Sequence, residues 1–213
     1  MILYGSSLSP FVRKVMVYAA EKGITLDAVQ ITRPDPQPDF VRASPLGKMP
    51  ALVDGAFGIS DSTAIIAYLE LRYPESPMYP SGAEARARAV WFEEFADTVM
   101  SAAVFKIFFN RIVGPRFYKT PCNEEVVREC EAKDLPVIFE YLESVVPDAG
   151  YFLVGDRIGV ADISVASMIQ NYLHAKAAIE ANQYRRTFAW VEAMFARPSF
   201  AAIIAKEKRF LAA

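Results

Sequence analysis

Apolar positions near the start of the chain fall into short continuous runs and one stretch of helical spacing. Residues 1–4 form an apolar run that predicts a buried strand. Between 11 and 23 the apolar side chains recur at helical intervals, and the stretch closes on a glycine, the residue at which helices commonly end. A second apolar run at 26–31 predicts another strand. The alternating prolines of 33–38 exclude regular structure and predict a stiff loop.

A hairpin and a second helix are predicted next. The Asp-Gly dipeptide at 54–55 separates two apolar runs within 50–59, and this dipeptide favours the tight turns of β-hairpins. A helix is predicted from Asp61 to Tyr73. The first 75 residues therefore predict the element order βαβ(α)ββα, which is an α/β module.

The rest of the chain has an almost entirely helical pattern. It begins after residues 73–82, where three prolines in ten positions indicate a domain boundary. Amphipathic stretches follow at about 84–112, 123–146, 160–178 and 185–196, with a short one at 199–206. We therefore predict an α/β domain over residues 1–75 and an all-helical domain over residues 83–213.

The helix predicted near residue 160 has a well-marked start. Gly159 stands at the N-cap, and Asp162 stands at the third helical position, where a carboxylate faces unpaired amides and the positive helix end. Ile158 and Ile163 occupy the two positions of a hydrophobic staple. These residues predict a sharply defined helix start.

The composition excludes several functional classes. Lys and Arg number 23 against 25 Asp and Glu, a formal charge of -2, whereas nucleic-acid binders commonly carry a basic excess. No apolar stretch approaches the ~18 residues of a membrane span, and the N-terminus lacks the pattern of a secretory signal. Cys122 and Cys130 form no CxxC or histidine-paired motif, so neither a disulfide framework nor a metal site is predicted. We expect a cytoplasmic protein with no nucleic-acid or membrane partner.

Candidate chemistry begins at Ser9, Pro10 and Phe11. After a strand, Ser9 suits a helix N-cap and Pro10 the first helical position. On these residues alone an ordinary helix cap is favoured. The alternative is that the same geometry aims a hydroxyl and a positive helix end at an incoming thiol or anion.

Two further features follow along the chain. Residues 44–50 read Ser-Pro-Leu-Gly-Lys-Met-Pro and lead into the hairpin. Because cis X-Pro bonds are a small minority, the sequence alone favours a trans Met49-Pro50 bond. Residues 60–63, Ser-Asp-Ser-Thr, stand at the next helix start and are again ordinary capping residues.

Taken in this order, the three features closely resemble the cytosolic glutathione S-transferase family. The resemblance covers essentially the whole chain. It is strongest to the serine-type classes (theta, delta, zeta and tau) and to members of the bacterial type. It implies a thioredoxin-like N-terminal domain followed by an all-α helical domain. It also implies glutathione as a co-substrate, with no metal.

The resemblance assigns Ser9 to the glutathione sulfur. Serine-type members keep a hydroxyl at this position, whereas omega-type and glutaredoxin-like members keep a reactive cysteine. A hydroxyl cannot replace a thiolate in disulfide exchange, so the serine argues against mixed-disulfide chemistry. Ser6 and Ser7 lie in the same turn and are the substitutes if Ser9 does not contact sulfur.

The resemblance also assigns the rest of glutathione. Pro50 matches the family's cis-proline, and Met49 would offer its backbone N–H and C=O to the cysteinyl part, as an added strand would. Lys48 matches a basic residue that meets the glycyl carboxylate. Asp61 and Ser62 match the acid-serine pair that holds the γ-glutamyl end.

The co-substrate site is implied between the Phe11 turn and the first long helices of the second half. Phe11 and Phe105 are the weak candidates for contact with a hydrophobic electrophile. The wider aromatic set, most of which fits a helix core equally well, is Trp91, Phe95, Phe105, Phe108 and Phe109. His174, the only histidine, is a disfavoured candidate for a base near this cleft.

Three functions stay open on the sequence. The leading one is conjugation of the glutathione thiolate to a hydrophobic electrophile, as in detoxification. The second is a glutathione-dependent isomerase, dehalogenase or peroxidase. The third is a non-catalytic member that binds glutathione or a protein, which the joint presence of Ser9, Lys48, Pro50, Asp61 and Ser62 disfavours. The resemblance also implies a two-fold homodimer.

Overall fold

The computed structural model describes residues 1–31, 37–148 and 150–213. These residues form two compact units, one of Met1–Met78 with Pro198–Ala213 and one of Tyr79–Arg197. Positions 33–36 of the predicted proline-rich loop lie outside the described residues.

A four-stranded mixed sheet in the order β2-β1-β3-β4 forms the centre of the first unit. Its strands are β1 (Ile2–Tyr4), β2 (Asp27–Val29), β3 (Ala51–Asp54) and β4 (Phe57–Ser60). β1 runs parallel to β2 and antiparallel to β3, and β3 runs antiparallel to β4. The four predicted strands are confirmed, although β2 is shorter than the apolar run at 26–31.

The hairpin between β3 and β4 turns one residue later than predicted. Asp54 pairs with Phe57, so the turn consists of Gly55 and Ala56 and not of Asp54 and Gly55. Gly55 has a φ of 59°, which glycine adopts without steric penalty. Asp54 stays in the strand, and its carboxylate accepts a hydrogen bond of 2.8 Å from the Tyr68 hydroxyl.

The predicted helices are present, with some changes in length. In chain order they are α1 (Pro10–Glu21), α2 (Pro38–Ala43), α3 (Ser62–Arg72), α4 (Ala83–Glu94), α5 (Ser101–Phe108), α6 (Glu124–Val145), α7 (Val160–His174), α8 (Arg185–Phe195) and α9 (Pro198–Ala212). Two π-helical segments, Phe95–Met100 and Phe109–Tyr118, make α4 and α5 one continuous helical stretch, which runs past the predicted end at 112. The last helix is also longer than the predicted 199–206.

α7 ends at His174, four residues before the predicted end. Lys176 adopts a φ of 50°, and the N–H of Ala177 donates to the carbonyl of Tyr172 (3.0 Å) while that of Lys176 donates to Leu173 (3.1 Å). This pair of bonds is a Schellman motif, which stops a helix. The residue in the left-handed conformation is a lysine, so the sequence carried no glycine signal for this end.

Helices α1 and α3 pack against each other within the first unit. Val15 of α1 and Ile65, Ile66 and Leu69 of α3 are fully buried. Burial of an aliphatic side chain of this size stabilises a fold by about 1.5–3 kcal/mol. These buried side chains of α3 therefore hold the start of that helix beside α1.

The last helix belongs to the first unit. Arg13 of α1 and Glu207 of α9 are both buried and form a two-pronged ion pair, with Nε–Oε1 at 3.0 Å and Nη2–Oε2 at 2.8 Å. Breaking such a buried pair leaves an uncompensated charge, which costs about 3–5 kcal/mol. The contacts divide the chain between Met78 and Tyr79, inside the predicted boundary segment, but group α9 with residues 1–78 and not with 83–213. The division into two functional domains, at residues 1–75 and 83–213, stays a prediction.

In the second unit, α7 is buried along almost its whole length and begins at the predicted cap. The Asp162 carboxylate accepts hydrogen bonds from the N–H groups of Gly159 (2.9 Å) and Leu153 (2.8 Å). Ile158 and Ile163, the predicted staple residues, are both buried. Burial raises the pKa of Asp162 to about 7, against the lowering effect of the backbone donors.

Within the described ranges, no single helix is both long and apolar enough to cross a membrane. α8 and α9 meet the length and composition criteria only when they are taken together.

Candidate functional site

Three segments that contain predicted site residues meet at one edge of the sheet, here called the site edge. Tyr4 at the end of β1 pairs with Ala51 at the start of β3, and Ala51 pairs with Ser60 at the end of β4. The turn after β1, the segment before β3 and the start of α3 therefore lie side by side. Adjacent strands are about 4.8 Å apart, so the three segments span about 10 Å.

The turn from β1 into α1 places Ser9 at the helix start. Ser9 is the N-cap, with φ -73° and ψ 125°, and Pro10 is the first helical residue, as predicted. The N–H of Ser9 donates to the Ser6 carbonyl (2.9 Å), and the N–H of Arg13 donates to the Ser9 carbonyl (3.0 Å). The Ser9 hydroxyl makes no capping hydrogen bond to the helix amides. It therefore remains a donor and acceptor for a ligand at the positive end of α1.

Gly5 brings this turn close to the segment before β3. It has a φ of 145°, and a Cβ at Gly5 would lie 2.6 Å from Val12 Cγ2 and 3.3 Å from Met49 Cβ. Only a residue without a side chain fits there. The turn that leads to Ser9 is thus in close contact with Met49.

The segment before β3 is held by Ser44. Its Oγ accepts a hydrogen bond from the Lys48 N–H (2.9 Å) and donates to the Lys48 carbonyl (2.6 Å). The Met49-Pro50 bond is cis, so the trans bond favoured by the sequence alone is wrong and the family pattern describes this position correctly. Pro50 is buried, Met49 is half-buried and Lys48 is exposed.

Asp61 caps α3 in an unusual backbone conformation. Its φ is 84° and its ψ 132°, and its Oδ1 accepts hydrogen bonds from the N–H groups of Thr63 (2.9 Å) and Ala64 (3.2 Å). A positive φ at a residue other than glycine costs about 1–3 kcal/mol, and such strain clusters at functional sites. Asp61 is exposed, whereas Ser62 beside it is only 2% exposed.

The structure adds Lys14, which the sequence patterns did not single out. Its side chain is completely buried on α1, and its Nζ lies 3.2 Å from Thr63 Oγ1 and 3.5 Å from Ser62 Oγ. An ammonium group therefore lies beneath the first turn of α3. The available signal was the charged pair Arg13-Lys14 inside the otherwise uncharged run 10–20.

Some of the predicted aromatic residues form a cluster in the second unit. Trp91 stacks on Phe95 with ring centroids 5.3 Å apart and planes at 10°. Tyr141 of α6, which the sequence did not single out, contacts both rings at 5.2 Å. Trp91 is still 47% exposed, so the cluster reaches the surface of the unit.

The remaining aromatic candidates differ in exposure. Phe105 on α5 is 57% exposed, whereas Phe108 is buried. Phe109 is partly exposed and lies 6.0 Å from the Tyr118 ring. Phe11 is half-buried on α1 of the first unit. Phe11 and Phe105 belong to different units, and their joint role in one electrophile site stays a prediction.

The two cysteine thiols are poor nucleophiles. Both are free. Burial raises the pKa of Cys130 to about 12, and burial with a hydrogen bond to Glu124 raises the pKa of Cys122. Since the thiolate is the reactive form, a raised pKa disfavours either thiol as a nucleophile.

His174, the candidate base, lies at the end of α7. Its Nε2 is 3.2 Å from the amide nitrogen of Gln170. Among the described residues, no group of three or more His, Cys, Asp or Glu side chains is placed to hold a metal ion.

Comparisons with known proteins cover both units. The family model "Glutathione S-transferase, N-terminal domain" matches residues 3–77, and "Glutathione S-transferase, C-terminal domain" matches residues 108–207. Glutathione S-transferase 3 of Zea mays is 30% identical over 95% of this chain and 92% of its own. The Stringent starvation protein A homolog of Coxiella burnetii is 24% identical over 98% of this chain and 93% of its own.

A solved structure gives the same result for the fold. A glutathione S-transferase from Rhodospirillum rubrum superposes with a TM-score of 0.84 at 25% identity, over 95% of this chain and 90% of that one. The predicted fold class, a thioredoxin-like domain followed by a helical domain, is confirmed. The two family models and the full-length maize relative show that the chain belongs to the glutathione S-transferase family.

Proposed function

We propose that the protein binds glutathione along the site edge and transfers its thiolate to a hydrophobic electrophile. The observation on which the proposal rests is the strand register, which aligns the Ser9 turn, Met49-Pro50 and Asp61-Ser62. An extended tripeptide is about 10 Å long, which matches the width of the three segments. Family membership supplies glutathione as the tripeptide.

Each part of glutathione has a chemically suited group at the site edge. The backbone of Met49 pairs with the cysteinyl residue as an edge strand does. The exposed Lys48 ammonium attracts the glycyl carboxylate. Asp61 attracts the γ-glutamyl ammonium, and Ser62 and the positive end of α3 hold the carboxylate beside it.

In this proposal Ser9 donates a hydrogen bond to the glutathione sulfur. Its hydroxyl makes no capping bond, and it stands where the α1 dipole favours negative charge. A sulfur bound there loses its proton more readily and stays hydrogen-bonded as a thiolate. Because serine forms no disulfide, Ser9 supports conjugation and not thiol exchange.

Activation of the thiol supplies only part of the rate. Lowering its pKa from ~8.5 to ~6.5 would raise the thiolate fraction at pH 7 about 25-fold. The same change lowers nucleophilicity about 8-fold, so the net gain is about threefold. Holding the electrophile beside the sulfur contributes far more, since effective molarities reach about 10⁵ M or above.

The electrophile is proposed to be a small hydrophobic molecule. Phe11 lies two positions after Ser9, and Phe105 offers an exposed aromatic ring on α5. Aromatic side chains bind apolar ligands while a few polar groups orient them. The same thiol site would serve an isomerase, a dehalogenase or a peroxidase.

A second candidate function is glutathione or protein binding without catalysis. One observation favours it: a relative that aligns over 93% of its own length is named a Stringent starvation protein A homolog and not a transferase. Fold alone does not determine activity. The Ser9 hydroxyl makes no capping hydrogen bond, and this favours the catalytic function.

The assembly and location are proposed with the same function. Family membership supports a two-fold homodimer. The two free thiols suit a reducing cytoplasm, where a role in detoxification would act on foreign electrophiles.

Calorimetry with glutathione, followed by an aryl-halide conjugation assay, tests the proposal. We expect saturable binding and turnover that depends on glutathione. Binding without turnover on a broad panel of electrophiles would favour the second candidate. Absence of binding at millimolar glutathione would overturn the proposal and would leave, of the second candidate, protein binding alone.

A further inference from the structure

The start of α3 has opposite charges on its two sides. The Asp61 carboxylate is exposed, and its Oδ1 accepts the N–H groups of Thr63 and Ala64. The Lys14 ammonium is buried on the other side, 3.2 Å from Thr63 Oγ1. A ligand at this helix start therefore meets a negative group outside and a positive group beneath.

Lys14 also restricts the orientation of the Ser62 hydroxyl. An ammonium group has three donors and no acceptor, so any hydrogen bond between Lys14 Nζ and Ser62 Oγ, which lie 3.5 Å apart, is donated by the lysine. The Ser62 proton is then directed elsewhere. Ser62 is the first residue of α3, where no preceding helical carbonyl is available to accept it. An incoming carboxylate is a suitable acceptor.

We propose that Lys14 is a positioning residue for the α-carboxylate of the bound thiol, and that it makes the site selective for ligands that end in a free α-amino acid. The inference rests on the proposed glutathione site. Asp61 faces the ammonium of that amino acid, and Ser62, oriented and polarised by Lys14, donates to its carboxylate. The buried charge adds to the positive end of α3, where anions are favoured.

The test compares two ligands that differ only at this carboxylate. Glutathione has it, and 4-aminobutanoyl-cysteinylglycine lacks it but keeps the amino group, the thiol and the glycyl end. Dissociation constants for both are measured by calorimetry with wild type and Lys14→Met. We expect wild type to prefer glutathione by at least about tenfold, as for a charge-assisted hydrogen bond, and Lys14→Met to prefer it by about twofold or less.

Lys22→Met is the matched control. Lys22 has a side chain only 1% exposed and is paired with Glu70 at 2.9 Å, beyond the carboxyl end of α1 and away from the site edge. Lys22→Met also removes a buried charge from the same unit, as Lys14→Met does. Because Lys22 lies away from the site edge, we expect the ratio of the two dissociation constants to stay at its wild-type value. If Lys14→Met weakened the binding of both ligands by the same factor, the role of Lys14 would be merely structural and the inference would be overturned.

Ser62→Ala tests the same link with Lys14 left in place, and it decides the matter if Lys14→Met does not fold. We expect it to lower the preference for glutathione by at least about fivefold, since the oriented hydroxyl is lost. An unchanged preference would refute the proposed orientation. If wild type binds neither ligand, the proposed glutathione site itself fails, which is a separate result.

Discussion

The amino ends of α7 and α1 use their polar side chains in different ways. At α7, Asp162 is completely buried, and both of its oxygens accept backbone N–H groups. At α1, Ser9 is half-buried at the N-cap, yet its hydroxyl makes no capping bond. The polar side chain at the start of α7 stabilises the fold, whereas the hydroxyl at the start of α1 is left available to a ligand.

The start of α3 combines the two. One oxygen of Asp61 caps the helix, while the residue stays exposed and adopts a positive φ. The comparison teaches that an N-cap motif alone does not separate a structural from a functional role. What separates them is whether the cap's hydrogen bonds are already made inside the protein.

The largest expected effect is at α7. Asp162→Ala leaves the partly buried amides of Leu153 and Gly159 without their acceptor, so the free energy of unfolding should fall by about 3 kcal/mol, measured by urea denaturation. Ser164→Ala on the same helix is the control, because the buried Ser164 Oγ has no partner within the described part of the chain. Because removing a buried hydroxyl that makes no hydrogen bond relieves its desolvation cost, this variant should not lower stability. Equal losses in both variants would contradict the structural role of Asp162.

The next effect is the pH dependence of the same residue. Its pKa is about 7 in the folded protein because burial disfavours the charged form, and about 4 in an unfolded chain. The folded state therefore binds the extra proton between these values, and stability falls as pH rises through that window. From pH 5.5 to 7.0 we expect wild type to lose about 1.5 kcal/mol relative to Asp162→Asn, which does not titrate. If wild type instead gained stability relative to Asp162→Asn as the pH rises, the backbone donors would lower the pKa of Asp162 more than burial raises it.

Ser9→Ala should affect turnover and leave the fold intact. We expect kcat with an aryl halide to fall at least about tenfold, which corresponds to about 1.4 kcal/mol. The dissociation constant for glutathione and the melting temperature should change little, because no capping bond is lost. Ser6→Ala and Ser7→Ala are the controls, and a larger loss in either would transfer the sulfur contact to that residue.

The smallest effect separates the two roles of Asp61. Asp61→Asn keeps an acceptor for the Thr63 and Ala64 amides, and Asn tolerates positive φ, so stability should change by only a few tenths of a kcal/mol. Asp61→Ala removes the cap and should cost about 1 kcal/mol. Both should weaken glutathione binding, because both remove the charge. Unchanged binding in Asp61→Asn would restrict Asp61 to capping.

Much of the fold could be predicted because local residues specify it. The α1 end shows this: Gly23 has a φ of 70°, and Ile24 N–H donates to Ala19 O at 2.8 Å, a Schellman stop of the kind glycine favours. The α7 end has the same geometry with Lys176 in place of glycine. Sequence reasoning therefore found the first end and missed the second.

The candidate site was predictable only where it follows a recognisable motif. The cap positions of Ser9 and Asp61 follow from local pattern, but the cis Met49-Pro50 bond does not, since trans is the general preference. The burial of Lys14 depends on packing between α1 and α3, which no local pattern specifies. Lysine is almost never fully buried in proteins, so its residue type gives no indication of this burial.

The ion pair between α1 and α9 has a consequence for synthesis on the ribosome. Glu207 is synthesised 194 positions after Arg13, so this ion pair cannot form until residues 79–197 of the second unit have been translated. Nascent domains generally fold in order from the N-terminus. Here the first unit cannot complete its packing until the second unit, which lies between its two segments in the chain, has been synthesised. Helix α1 therefore gains its contacts with α9 only after the whole second unit has been made.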